Sequence, residues 1–126
     1  MSRGLKITFL VHAVVAFVFG IVLYVKPGTL VTLGLWPYLD PHMTLAFGAA
    51  LLAIAISSWL AYRATRWEEV HILVQMEIGL TVLSTVGGLW ALLFRGAPPF
   101  SWVPVVLWVA FAAAWIYFYV KRPAQA

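Results

Sequence analysis

With 126 residues, of which 64% are hydrophobic and only 10% charged, the chain has more apolar surface than a soluble domain of this size can bury, so lipid is the expected solvent. The net charge of +4 does not mark a nucleic-acid binder, because the eight Lys and Arg stand at the ends of apolar runs and not in one cluster. Cysteine is absent, which excludes disulfides, thiolate catalysis and cysteine metal sites together.

The first apolar run, residues 7–25, follows Arg3 and Lys6. It is too long for the core of a secretory signal and ends in Tyr24-Val25-Lys26-Pro27 without a small-residue cleavage pattern, so it reads as a retained membrane helix. Thr8, His12 and Ala16 share one of its faces. Lys26-Pro27-Gly28 stops it.

The connection that follows contains Leu30, Val31, Leu33, Leu35 and Trp36, side chains that do not belong free in water. Residues 28–39 therefore read as a short helix or turn lying on the outer membrane surface, ending at Gly34 or at Trp36-Pro37. A lid over an external opening is the less favoured reading.

Asp40 as N-cap and Pro41 at the first helical position open a second span, residues 43–62. Ala46, Ala50, Ala53 and Ser57 form a small-residue stripe, expected to face inward and let another helix approach. A third span, residues 70–94, carries Glu77, Thr81, Ser84 and Gly88 on one face. Its start carries a second polar stripe, Glu68, His71 and Gln75, with Glu69 beside it, which reads as a solvated inner mouth with acids suited to a helix N-terminus. Gly96-Ala97-Pro98-Pro99 separates it from a fourth span, residues 100–120.

The fold class expected is all-α, an integral membrane four-helix bundle forming a single domain over residues 1–126. Arg3, Lys6, Arg63, Arg66, Lys121 and Arg122 fall on one side of such a bundle, against Lys26 and Arg95 on the other. The positive-inside rule then puts both termini and the middle loop in the cytoplasm, as a multi-pass protein of the cell membrane. Trp36, Tyr38, Trp90 and Trp102 would mark the outer aromatic belt, and Trp59, Tyr62, Trp67, Tyr117 and Tyr119 the inner one; Trp108 and Trp115 suit packing between helices equally well.

An ionisable group inside a span needs a partner or a purpose. Glu77, the only acid deep in a span, lies ~10 Å from the cytoplasmic edge, and His12 about 8 Å, by helical rise. His12, Ser57 and Glu77, with Thr81 and Ser84, are therefore the candidate ligand-binding or proton-titrating centre. The plainer and favoured reading is that His12 and Glu77 satisfy one another, with the hydroxyls as interhelical glue.

Glu68 and His71 have the Glu-x-x-His spacing of di-iron bundles, but the four acids Asp40, Glu68, Glu69 and Glu77 are too few for that architecture, and no metal site is expected. Haem ligation by His12 lacks a second imidazole at equal depth, since His42 and His71 lie near opposite surfaces, so no cofactor is expected. G-x-S-x-G, H-E-x-x-H and the phosphate-binding G-x-x-x-x-G-K-[ST] are all missing, which disfavours an enzyme.

Asp40-Pro41, then Phe47-Gly48-Ala49-Ala50-Leu51-Leu52-Ala53, Trp59 and a charged turn resemble the second span of small prokaryotic four-helix membrane proteins of unknown function. The resemblance extends in layout to most of the chain and implies no catalytic residue. The patterns of small multidrug transporters and fluoride channels are missing. The function expected is a noncatalytic accessory subunit or a module binding a hydrophobic small ligand. Its partners would be the lipid bilayer and either other membrane subunits or further copies of itself, with no nucleic acid. The competing expectation is a proton-linked transporter or channel, oligomeric because four short helices seldom enclose a pathway, with Glu77 and His12 as titrating groups.

Overall fold

A computed structural model describes residues 1–122, so the last four residues of the expected 1–126 domain lie outside the described part. The described chain is all-helical, with five α-helices: α1 (Arg3–Val25), α2 (Thr29–Thr32), α3 (Pro41–Arg63), α4 (His71–Phe94) and α5 (Trp102–Val120). Single 3-10 turns, Trp67–Glu69 and Pro99–Ser101, lead into α4 and α5. Four of the helices are long and apolar enough to cross a membrane.

Local chemistry sets each boundary. α1 begins four residues before the apolar run because Ser2 caps it: its Oγ accepts the Leu5 amide at 3.2 Å and its carbonyl the Lys6 amide at 3.2 Å. Asp40 caps α3 as its sequence suggested, with Oδ1 accepting the Met43 amide at 2.8 Å ahead of Pro41. α2 ends in a Schellman turn, in which Gly34 at φ +70° lets the Leu35 amide reach the Leu30 carbonyl and its own amide the Val31 carbonyl. Gly96, at φ +67°, similarly lets the chain close back on the Ala91 carbonyl through the Ala97 amide at 3.1 Å.

The contacts divide the chain into two compact units, with the boundary inside α1. In the unit Phe9–Arg63, α1 and α3 meet at glycines. A Cβ on Gly48 would stand 2.7 Å from the Tyr24 amide nitrogen, and one on Gly20 would stand 3.0 Å from that of Leu52. These are backbone atoms that cannot swing aside.

This contact overturns the expected inward stripe of α3. Ala46, Ala50 and Ala53 are exposed and Ser57 is half-buried, while Thr44, Gly48, Ala55, Ser58 and Ala61 form the covered face. The physical reason is that the helices approach most closely where no Cβ intervenes, and Gly48, not the alanines, provides that point.

The other unit comprises Met1–Thr8 and the chain from Ala64 onward. Here α4 packs on α5 at Gly88, where a Cβ would come 2.6 Å from Val105 Cγ2 and 3.0 Å from the Trp108 ring. Trp115 is fully buried and stacks on Phe111 at 6.4 Å, so the interior reading holds for this ring. The start of α1 packs on the end of α5, with Gly4 against Phe118, and the terminal amine donates to the Thr65 carbonyl at 3.1 Å. The chain start, the turn before α4 and the end of α5 are thus gathered at one end of this unit.

Away from these contacts the long helices present large apolar side chains outward, such as Leu83 on α4, 74% exposed, and Phe17 and Val18 on α1. Gly79 and Gly87, also on α4, face open space.

Two kinds of glycine should therefore respond oppositely to substitution. Gly48→Val should lower unfolding stability in a solubilised preparation by about 1–3 kcal/mol, as overpacking does. Gly79→Ala should leave it unchanged or raise it by up to ~1 kcal/mol through helix propensity. Thermal unfolding followed by circular dichroism reads both, and equal losses would refute the assigned packing.

Candidate functional site

A polar side chain within an apolar helix stays there only if a neighbour completes its hydrogen bonds. In the unit Phe9–Arg63 one such neighbour is Ser58. His12 on α1 is 7% exposed, and its Nδ1 lies 2.9 Å from Oγ of Ser58 on α3, a side chain with no exposure at all. Which of the two atoms donates follows from the imidazole tautomer.

The serine that meets His12 is thus Ser58 and not Ser57, whose hydroxyl donates to the Ile54 carbonyl at 2.9 Å. Successive residues on a helix differ by about 100°, so only one of two adjacent serines can face α1. Ser58 shares its face with Gly48 and Ala55, and that glycine-containing stripe was the signal that could have selected it.

In the other unit, Glu77 and Thr81 of α4 are buried, with Ser84 and Gly88 half-buried on the same face, as the helical spacing required. Thr81 donates its hydroxyl to the Glu77 carbonyl at 2.6 Å, and Thr85 donates to the Thr81 carbonyl at 2.7 Å. The hydroxyls therefore satisfy themselves within their own helix, a common arrangement in apolar surroundings.

In the polar stripe at the start of α4, the side chains of His71 and Gln75 are tied. His71 donates from Nδ1 to the Glu68 carbonyl at 3.0 Å, and Gln75 Nε2 donates to the Tyr119 hydroxyl at 2.9 Å. Tyr119 in turn packs near Trp67, with ring centres 6.1 Å apart, and beneath the Arg122 guanidinium at 4.8 Å. This cluster locks the end of α5 to the start of α4.

Glu69 closes the turn before α4. Its Oε2 accepts the amides of Thr65 and Arg66 at 3.0 and 3.3 Å, and its Oε1 pairs with Arg66 Nε at 3.2 Å. The two backbone amides, helped by the guanidinium, hold its carboxyl below the ordinary range. Glu68 and His71 do not assemble a metal site with other ligands: among the described residues, no three His, Cys, Asp or Glu side chains come together as one would require.

No known protein family, curated protein or solved structure matches the chain.

The His12–Ser58 tie should appear as a coupling. In a double-mutant cycle with His12→Ala and Ser58→Ala, unfolding free energies should depart from additivity by about 0.5–1.5 kcal/mol, the range of interhelical hydrogen bonds in membrane proteins. Pairing His12→Ala with Ser57→Ala should give none, and the reverse pattern would refute the assignment.

Glu69 carries a pH signature. Because its folded pKa is depressed, its contribution is present above the unfolded carboxylate pKa and disappears as pH falls through the lower folded value. Hydrogen-exchange protection of the Thr65 and Arg66 amides should decline over that acidic window in the parent chain. In Glu69→Gln it should be weak and level throughout.

Proposed function

We propose that the chain is an integral membrane protein crossing the bilayer four times, with both termini cytoplasmic, that serves as a noncatalytic accessory subunit for other membrane helices. The observation that carries this reading is the orientation of side chains along the long helices. Large apolar groups such as Ile72, Leu83 and Val86 point away from the chain's own contacts, while His12 points into one and is tied to Ser58. A surface of that kind is solvated by acyl chains or covered by a partner helix.

The terminal amine held by the Thr65 carbonyl, and Gly4 packed on Phe118, support a topology in which the chain start, middle turn and α5 end share one side. Arg3, Lys6, Arg66, Lys121 and Arg122 belong to these segments, which favours the cytoplasmic side for them. On this reading the His12–Ser58 bond holds α1 and α3 in register, and hydrophobic partners or ligands dock on the outer faces.

A second reading rests on two buried ionisable side chains in apolar helices, His12 and Glu77. In it they pass protons, as intramembrane imidazole and carboxyl groups can.

Reconstitution into vesicles holding a pH-sensitive dye separates the two. The accessory reading expects no proton flux above that of empty vesicles, and the same result for Glu77→Gln. Flux abolished by Glu77→Gln would overturn it. Topology has its own readout, since the parent chain lacks cysteine: in intact cells an impermeant maleimide should label Leu35→Cys and spare Ser2→Cys.

A further inference from the structure

Lys26 is the first residue after α1, at the point where an apolar helix gives way to the polar connection. It lines an open cleft of about 390 Å³ together with Gly28, Thr29, Thr32 and Leu33. The threonine hydroxyls are committed as donors, Thr29 to the Lys26 carbonyl at 2.8 Å and Thr32 to the Gly28 carbonyl at 3.0 Å. Among the described residues that line the cleft, Lys26 is the one with a charged donor, its ammonium. The nearest acid along the chain, Asp40, caps α3 through the Met43 amide.

Apolar groups border this cation. Leu33, within the cleft, is 64% exposed, and Val25, Val31 and Leu35 are exposed in the same stretch of chain. An amphiphile with an anionic head uses both features at once, since the charge meets Lys26 while its hydrocarbon covers the leucines and valines. A free anion would use only the first. The Schellman turn at Gly34 fixes the backbone that carries Leu33 at the edge of the cleft.

We propose that this cleft binds the phosphate-bearing headgroup of an anionic phospholipid, with Lys26 as its counter-charge and Leu33 beside the acyl chain. The inference rests on the membrane reading above, because it places the end of α1 at headgroup level.

The test is native mass spectrometry of the detergent-purified full chain, titrated with phosphatidylglycerol or phosphatidylcholine. Lys26→Gln should weaken phosphatidylglycerol binding about fivefold and leave phosphatidylcholine binding unchanged. Arg95→Gln, which removes the other cation expected on that side, should behave as the parent.

Phosphatidylglycerol binding unaffected by Lys26→Gln would overturn the proposal. So would full displacement of the lipid by inorganic phosphate, which would identify a free-anion site. Extraction of native membranes with alkaline carbonate distinguishes the two levels of failure. Release of the chain into the supernatant defeats the membrane reading and this inference with it, whereas a retained chain that binds the lipid independently of Lys26 defeats this inference alone.

Discussion

The close approach of α1 and α3 at Gly20 and Gly48 is the contact on which the rest of the first unit depends. With no Cβ between them, the backbones come near enough for a side chain as short as serine to span the gap to an imidazole. The 2.9 Å bond between His12 and Ser58 is a consequence of that approach. It also adds what van der Waals contact between apolar helices lacks, a fixed register. Sliding one helix by a single residue would separate the polar pair and leave two buried groups to find other partners.

The unit built from α4 and α5 solves the same problem differently. Gly88 again admits a neighbour, here the side chains of Val105 and Trp108. The threonines of α4 close their hydrogen bonds along their own helix. Register is then set at the end, where Gln75, Tyr119, Trp67 and Arg122 combine a hydrogen bond, a ring contact and a cation over an aromatic face. One unit is pinned by a polar contact within its helices and the other by a cluster at their margin, where long polar side chains reach one another without entering the apolar middle.

Much of this was legible in the sequence, for reasons that also explain the rest. Helix positions followed from runs of apolar residues with Gly, Pro and Asp between them, so α3 and its Asp40 cap were readable. The Ser2 cap was not, because the apolar run began later and only a cap search would have carried α1 back through Lys6 and Arg3. Helical phase was readable in α4, where Glu77 and Thr81 are few polar groups on one face. It misled in α3, which is apolar or small on every side: Gly48, Ala50, Ala53, Ala55, Ser57 and Ser58 leave several equivalent stripes. Choosing among them requires knowing which backbone faces which. Gly20 opposite Gly48 gives the answer only once both are seen in place.

The same geometry bears on whether His12 is structural or chemical. An imidazole that carries protons must exchange partners during its cycle, taking water or a second titrating group in place of the first. Ser58 is fully buried, and the glycine contact on the same face of α3 resists any widening that would admit water beside it. A hydroxyl is also an undemanding partner, able to donate or accept, and it suits an imidazole held in either neutral tautomer. A site built for proton movement needs a low barrier between two arrangements. The α1–α3 contact packs closely on the helix face that carries the His12–Ser58 bond, and the proposed accessory role uses that bond as a fastener between helices.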